Sequence, residues 1–137
     1  YTPYVAAAQV GQPIDVKNSD PFMHNVHTLP TAAGNKEANK AQMANSPDLK
    51  FTFDHPEMFL KFKCDVHPWM FSYVSVFDHP YFAVTGKDGS FKIANVPPGK
   101  YTIEAYHRKA APVGSPVTQE IEVKDQAATA DFALEVK

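Results

Sequence analysis

Apolar and polar residues alternate over short runs in the first half of the chain. Between residues 13 and 18, Ile14 and Val16 share one parity and polar residues take the other. Between residues 58 and 64 one parity carries the apolar row Met58, Leu60, Phe62 and Cys64. Because successive side chains of a strand point to opposite faces, both runs predict β-strands. We therefore expect Cys64 to end a row of inward-pointing residues.

Turn residues divide the rest of the chain into further short apolar runs. Twelve prolines and turn sequences such as 86–89 and 97–99 favour strands and hairpins. The other segments predicted as strands are 51–53, 71–77, 91–93, 101–103, 118–123 and 130–136. This pattern predicts an all-β fold, a β-sandwich with a C-terminal β-hairpin extension.

Residues 31–50 interrupt the strand pattern. The segment is poor in large apolar residues and rich in Ala, Asn and Lys, which is typical of a surface excursion. Within it, the composition from Ala38 to Met43 favours a helical turn.

The size and charge of the chain exclude several classes of protein. With 137 residues it is long enough for one sandwich-sized core, so we expect a single folding unit. A formal charge of -2 and scattered lysines provide no basic surface for nucleic acid. No segment approaches the ~18 consecutive apolar residues of a membrane helix. We expect a soluble fragment, with any membrane anchor outside this sequence.

The sequence has one cysteine, Cys64, and therefore no intramolecular disulfide. It begins at Tyr1 without an initiator methionine, which favours a mature exported form or a piece of a longer protein. An exposed lone thiol outside the cytoplasm is prone to oxidation. Ligation to a metal would protect the thiol, and we expect a periplasmic or otherwise extracytoplasmic location.

The segment 64–70 contains the residue types that most strongly indicate a metal site. It reads Cys-Asp-Val-His-Pro-Trp-Met and supplies a thiolate, an imidazole and a thioether at Cys64, His67 and Met70. Soft sulfur ligands together with imidazole suit copper, and a trigonal His₂Cys site with a weak axial Met is the electron-transfer form of such a centre. The sequence predicts one copper ion here, with one histidine still to be supplied.

The missing histidine is either His24 or His27, in the sequence Met-His-Asn-Val-His. If this stretch is extended, residues three apart point to opposite faces. Only one of the two can then reach an interior metal, and parity alone leaves the choice open.

These two motifs, MHNVH and CDVHPWM, resemble the cupredoxins, the family of type 1 blue copper proteins. The length of the ligand loop is most similar to that of the amicyanins. The resemblance covers roughly residues 13–77 and implies a Greek-key β-sandwich. It also implies that the histidine before Asn-Val, His24, is the ligand, and that Asn25 ties the two ligand segments together.

The C-terminal part resembles a different pattern, the carboxypeptidase-regulatory or transthyretin-like β-sandwich, in DGSFKI and VPPGKY. We therefore expect a copper-binding part at 1–77 and a β-rich extension at 78–137, packed as one unit. The strand at 71–77 belongs to both patterns.

The cupredoxin resemblance implies a carrier of single electrons rather than an enzyme. Its expected partners are redox proteins such as c-type cytochromes, an oxidase or a dehydrogenase. Four apolar residues close in sequence to the candidate ligands are expected to form a rim near His67, where such a partner would dock, rather than ordinary packing: Pro21, Phe22, Pro68 and Trp69.

Other functions and other ligand sets are also consistent with this sequence. The ligands would also suit a periplasmic copper carrier or sensor, and the chain could instead be a structural or binding β-sandwich module of a larger protein. Met70 could belong to the core, leaving a three-ligand site. A second metal site would draw on the remaining histidines, for which surface positions are favoured: His27, His55, His79 and His107.

Overall fold

The computed structural model describes residues 1–110 and 114–137, and throughout these ranges the regular structure is strand, without a helix. The strands are β1 Val5–Gln9, β2 Ile14–Val16, β3 His24–Leu29, β4 Ala38–Gln42, β5 Leu49–Phe51, β6 Glu57–Lys63, β7 Phe71–Phe77, β8 Gly99–Ala105 and β9 Val117–Val123. The predicted all-β class is confirmed. In the described ranges no helix has the length and apolarity that a membrane span requires.

The chain forms two compact units, Tyr1–Lys92 and Ile93–Lys137. The proposed separation of a copper-binding part at 1–77 from an extension at 78–137 stays a prediction about domains.

The first unit is built on a five-stranded sheet with the order β1-β7-β6-β3-β4. β1 lies parallel to β7, and the other neighbours are antiparallel. β2 and β5 form a separate antiparallel pair. Residues of this pair pack against the core of the large sheet, as two layers of a sandwich do. The Greek-key connectivity stays a prediction.

The core of the first unit is aliphatic and aromatic. Its buried residues are Ala8, Val26, Phe51, Phe53, Leu60, Phe62, Val74 and Val76. Phe62 meets Phe51 and Phe53 edge to face, with ring centroids 5.5 and 6.0 Å apart. Phe51 ends β5 and Phe53 follows it, so these contacts join Phe62 of the large sheet to the second layer two residues before Cys64.

An irregularity in β6 changes the row of inward-pointing residues predicted from parity. The pairing with β7 shifts between Glu57 and Leu60, and Phe59 has a φ of 55°. Such a bulge inserts an extra residue and reverses the faces on one side of it. Leu60, Phe62 and Cys64 point inward as expected, but Met58 is only half-buried and Glu57 is buried in its place.

Two other elements of this unit differ from the sequence-based expectation. Residues 38–42 form strand β4 rather than a helical turn, because they pair with β3 along its outer edge. The alanine-rich strand β1 has no predicted counterpart, since Ala6, Ala7 and Ala8 provide no apolar-polar alternation. The strand predicted at 51–53 lies at Leu49–Phe51, and the one at 71–77 is confirmed.

The second unit contains the antiparallel pair β8 and β9. The strands predicted at 101–103 and 118–123 are confirmed within it. The segments 91–93 and 130–136 are not strands, because they have no partner ladder; Val136 only joins Ala110 in an isolated bridge.

Candidate metal centre

Two neighbouring strands bring the two sequence motifs, MHNVH and CDVHPWM, together. His24 is the first residue of β3, and Cys64 follows directly after β6. Because β3 and β6 are antiparallel, with His27 opposite Lys63, the start of one strand meets the end of the other. The loop 65–70 then leads into β7. The site is therefore built at one end of the large sheet.

Three side chains converge at this end: His24, Cys64 and His67. The Nδ1 atoms of the two histidines are 3.0 Å apart. The Cys64 Sγ lies 3.9 Å from Nδ1 of His24 and 3.6 Å from Nδ1 of His67. Cys64 is 0% and His24 is 4% exposed, whereas His67 is half-buried. The site is thus closed on the side of Cys64 and His24 and more accessible at His67.

These separations fit a single small metal ion. Bonds of about 2.0–2.1 Å to nitrogen and about 2.3 Å to sulfur in a trigonal plane separate the ligand atoms by roughly 3.5–3.8 Å. The observed distances of 3.0, 3.6 and 3.9 Å lie close to that range. Adjustments of about half an ångström, within the reach of side-chain torsions, would complete the set.

The structure places one of the two histidines of the first motif beside Cys64 and the other on the opposite face of β3. β3 alternates between buried and half-buried residues, with His24 on the buried parity and His27 on the other. The His27 ring contacts carboxylates instead, with Asp65 at Nδ1 (3.0 Å) and Glu37 at Nε2. His24 therefore joins Cys64 and His67, and His27 does not.

The side chain of Asn25 connects the two motifs. Its Oδ1 accepts hydrogen bonds from the Cys64 thiol at 3.3 Å and from the Asp65 amide at 2.6 Å. Its amide group donates to Asp65 at 3.0 Å and to Asn39 at 2.7 Å. The residue after His24 thus holds the beginning of the ligand loop, the role that the cupredoxin resemblance implies.

Backbone bonds close the ligand loop at its other end. The Cys64 amide donates to the Met70 carbonyl at 3.0 Å, and the Met70 amide donates to the His67 carbonyl at 2.8 Å. These bonds bring the backbone of Met70 beside Cys64, and its side chain is half-buried. That the Met70 thioether is a ligand stays a prediction.

The surroundings of Cys64 favour its thiolate. Burial by itself would raise the pKa of the thiol, but hydrogen bonds from the Asn25 and His67 amides and from the two histidine rings lower it to about 7. Because the pKa is lowered, less free energy is needed to remove the thiol proton. The thiolate that results is the form that binds metals.

The pKa of His24 is shifted upward. Burial by itself would lower it, but hydrogen bonds to Asp20 and Cys64 outweigh that effect. The Asp20 carboxylate lies 2.7 Å from Nε2, on the opposite side of the ring from the cluster. Asp20 was not among the residues predicted from the sequence. The available signal was an acidic residue in the turn just before a candidate ligand.

Aromatic rings surround the accessible edge of the site. The His67 ring lies 5.7 Å from the ring of Phe22 and 5.3 Å from that of Trp69. Phe22 is 52% and Trp69 is 73% exposed. Both residues therefore lie at the surface beside His67, as expected for an apolar rim.

The remaining histidines do not form a second such cluster within the described parts of the chain. The His55 amide bonds to Asn35, and His79 stacks on Tyr81 with ring centroids 6.1 Å apart. His107 accepts a hydrogen bond from the Lys109 amide.

Comparison of the chain with protein-family models, with curated proteins and with solved structures finds no match.

Proposed function

We propose that this protein is a type 1 copper protein that carries single electrons between redox partners. The observation that carries the proposal is the convergence of one sulfur and two imidazole nitrogens, from Cys64, His24 and His67, at one end of a β-sheet. Copper is favoured over harder metals because thiolate and imidazole are its preferred ligands. Met70 is proposed as a fourth, weaker donor, supported by the backbone bond that holds it beside Cys64.

The bound ion would supply a one-electron couple between Cu(II) and Cu(I). The protein's own contribution is to present its ligands in a fixed geometry. The buried side chains of Leu60 and Phe62 anchor β6 in the core just before Cys64, and that of Val26 anchors β3 just after His24. Asn25 connects the two segments through its hydrogen bond with Cys64. Ligands held this rigidly move little when the charge of the site changes, which favours fast electron exchange.

Access to the site supports transfer by protein contact rather than by substrate turnover. Cys64 and His24 are buried, while the half-buried His67 ring lies between the exposed Phe22 and Trp69 rings. A redox protein with an apolar face, such as a c-type cytochrome, an oxidase or a dehydrogenase, would dock there. The proposed location is periplasmic or otherwise extracytoplasmic, where the buried thiol would be protected by the metal.

The test is the visible spectrum of the purified chain loaded with one equivalent of Cu(II). We expect an intense thiolate-to-Cu(II) charge-transfer band and a reversible one-electron wave in voltammetry. Cys64→Ser replaces the thiolate by a poorly ionised hydroxyl and is expected to lose both signals while remaining folded.

Other outcomes would replace the proposal. Tight Cu(I) binding with rapid metal exchange and no reversible wave would identify a copper carrier or sensor. No affinity for copper would leave a structural or binding module. A coloured Cys64→Ser protein would move the centre away from this cluster.

A further inference from the structure

The two nitrogens of the His24 ring face different groups. Nδ1 points toward the cluster, 3.0 Å from Nδ1 of His67 and 3.9 Å from the Cys64 sulfur. Nε2 lies 2.7 Å from an oxygen of the Asp20 carboxylate. On the basis of the proposed copper function, we propose that Asp20 is a positioning residue: it holds the proton of His24 on Nε2, orients Nδ1 toward the metal and lowers the reduction potential of the centre.

The hydrogen bond selects the tautomer of His24. A neutral imidazole carries one N–H, and its other nitrogen has the lone pair that can bind a metal. An ionised carboxylate only accepts hydrogen bonds, so the nitrogen facing Asp20 has to be the donor. Nδ1 is then free of its proton and faces Cys64 and His67. In the neutral ring, Asp20 therefore leaves Nδ1 as the nitrogen that is available to a metal.

The position of Asp20 is itself fixed by a buried amide. Asn18 is buried, and its Oδ1 accepts a hydrogen bond from the Asp20 backbone amide at 2.9 Å. The Asn18 Nδ2 donates to the Phe22 and Gln42 carbonyls at 2.8 and 3.2 Å. Through Asn18, the turn that carries Asp20 is thus bonded both to the neighbouring backbone at Phe22 and to the end of β4 at Gln42. These hydrogen bonds fix the backbone position from which the Asp20 side chain reaches His24.

The effect on the reduction potential follows from the charge of the acceptor. A carboxylate that accepts the N–H of a ligating imidazole makes the imidazole a stronger electron donor. A stronger donor favours Cu(II) over Cu(I), since the oxidised ion has the higher charge. Asp20 is about half exposed, so solvent screens its direct field, and the hydrogen bond carries most of the effect.

The chain offers a matched control on the other face of β3. Glu37 contacts Nε2 of His27 as Asp20 contacts Nε2 of His24. His27 does not belong to the Cys64 cluster. Asp20→Asn and Glu37→Gln therefore make the same chemical change, one beside a proposed ligand and one beside a histidine outside the cluster.

Two measurements on the full chain test the proposal. In the metal-free protein at alkaline pH, imidazole ¹⁵N shifts should report the Nε2–H tautomer for His24, with a mixture of tautomers in Asp20→Asn. In the copper protein, Asp20→Asn should lower the ratio of Cu(II) to Cu(I) affinity about tenfold, which raises the potential by about 59 mV for a one-electron couple. Glu37→Gln should leave the His24 tautomer and the reduction potential unchanged.

The result separates this inference from the function on which it rests. If the wild-type chain takes up no copper, the proposed function is wrong, and the tautomer measurement still tests the role of Asp20 on its own. If copper binds with the expected spectrum but Asp20→Asn and Glu37→Gln have the same potential and tautomers as wild type, the role of Asp20 is refuted and the function stands. Equal unfolding midpoints for the two variants show that the shift is not a loss of fold.

Discussion

Asn25 and Cys64 are joined to each other twice, although 39 positions separate them in the sequence: the Asn25 amide donates to the Cys64 sulfur at 3.5 Å, and the thiol donates to Asn25 Oδ1 at 3.3 Å. The same Oδ1 accepts the amides of Asp65 and Val66. One side-chain oxygen therefore organises the first turn of the ligand loop.

Replacing Asn25 by Ala should destabilise this turn. Three donors lose their acceptor, and we expect the free energy of unfolding to fall by about 1–3 kcal/mol and bound copper to be lost faster to a chelator. Urea titration and chelator-exchange kinetics measure the two effects. Asn35→Ala is the matched control, because the Asn35 side chain bonds to His55 and Glu57. Equal exchange rates in the two variants would show that Asn25 has no special role in the loop.

His24 and His27 should respond differently to the same substitution. His24→Ala removes a nitrogen from the cluster and should abolish the thiolate-to-copper band. His27→Ala breaks the hydrogen bonds with Asp65 and Glu37 and should leave the band nearly unchanged. Visible spectra of the two copper-loaded variants measure the intensity of this band in each. The reverse pattern would mean that β3 presents the opposite face to the metal.

Glu57 should make the free energy of unfolding of the first unit depend on pH in the acidic range. Burial by itself would raise the pKa of its carboxyl, but hydrogen bonds from Thr31, Asn35 and the Ala32 amide outweigh this and hold the pKa below its ordinary value of 4.5. A lowered pKa in the folded state stabilises the fold above pH 4.5, and this contribution is lost as the pH falls through the folded pKa.

Glu57→Gln is the corresponding test. The neutral side chain should cost roughly 1–3 kcal/mol at neutral pH, because the bonds to a charged acceptor are weakened. Below pH 4 the variant and the wild type should approach each other in stability. Denaturation midpoints measured from neutral to acid pH report the difference, and a gap that stays constant over that range contradicts the assignment.

Phe22 and Trp69 should affect partner binding rather than copper geometry. Both rings contact His67 at the surface, so a polar replacement removes apolar contact area without removing a ligand. Phe22→Ser and Trp69→Ser are expected to slow electron exchange with a cytochrome while the visible spectrum is retained. Phe22→Ser is the cleaner variant, since Trp69 lies inside the ligand loop. Exchange at the wild-type rate in both variants would place the electron's exit elsewhere.

Much of the site could be predicted from local sequence. Cys64 and His67 lie three residues apart in a loop after an alternating strand, and the structure brings them within 3.6 Å. The buried parity of Leu60, Phe62 and Cys64 also follows from alternation. The prediction for Met58 was wrong because the pairing of β6 with β7 shifts between Glu57 and Leu60, where Phe59 has a positive φ. Simple alternation does not continue through such a bulge.

The sequence by itself determined the all-β class, and it identified the Cys64–His67 spacing and the two histidines His24 and His27 as candidates for a metal site, because these depend on residue type and on the two-residue period of a strand. Only the tertiary structure decided that His24 faces Cys64, that Asn25 joins the motifs and that Asp20 contacts the far side of the His24 ring. Those relationships depend on the register between β3 and β6, which pairs His27 with Lys63. Register is set by packing between segments distant in sequence, so no local pattern carries it.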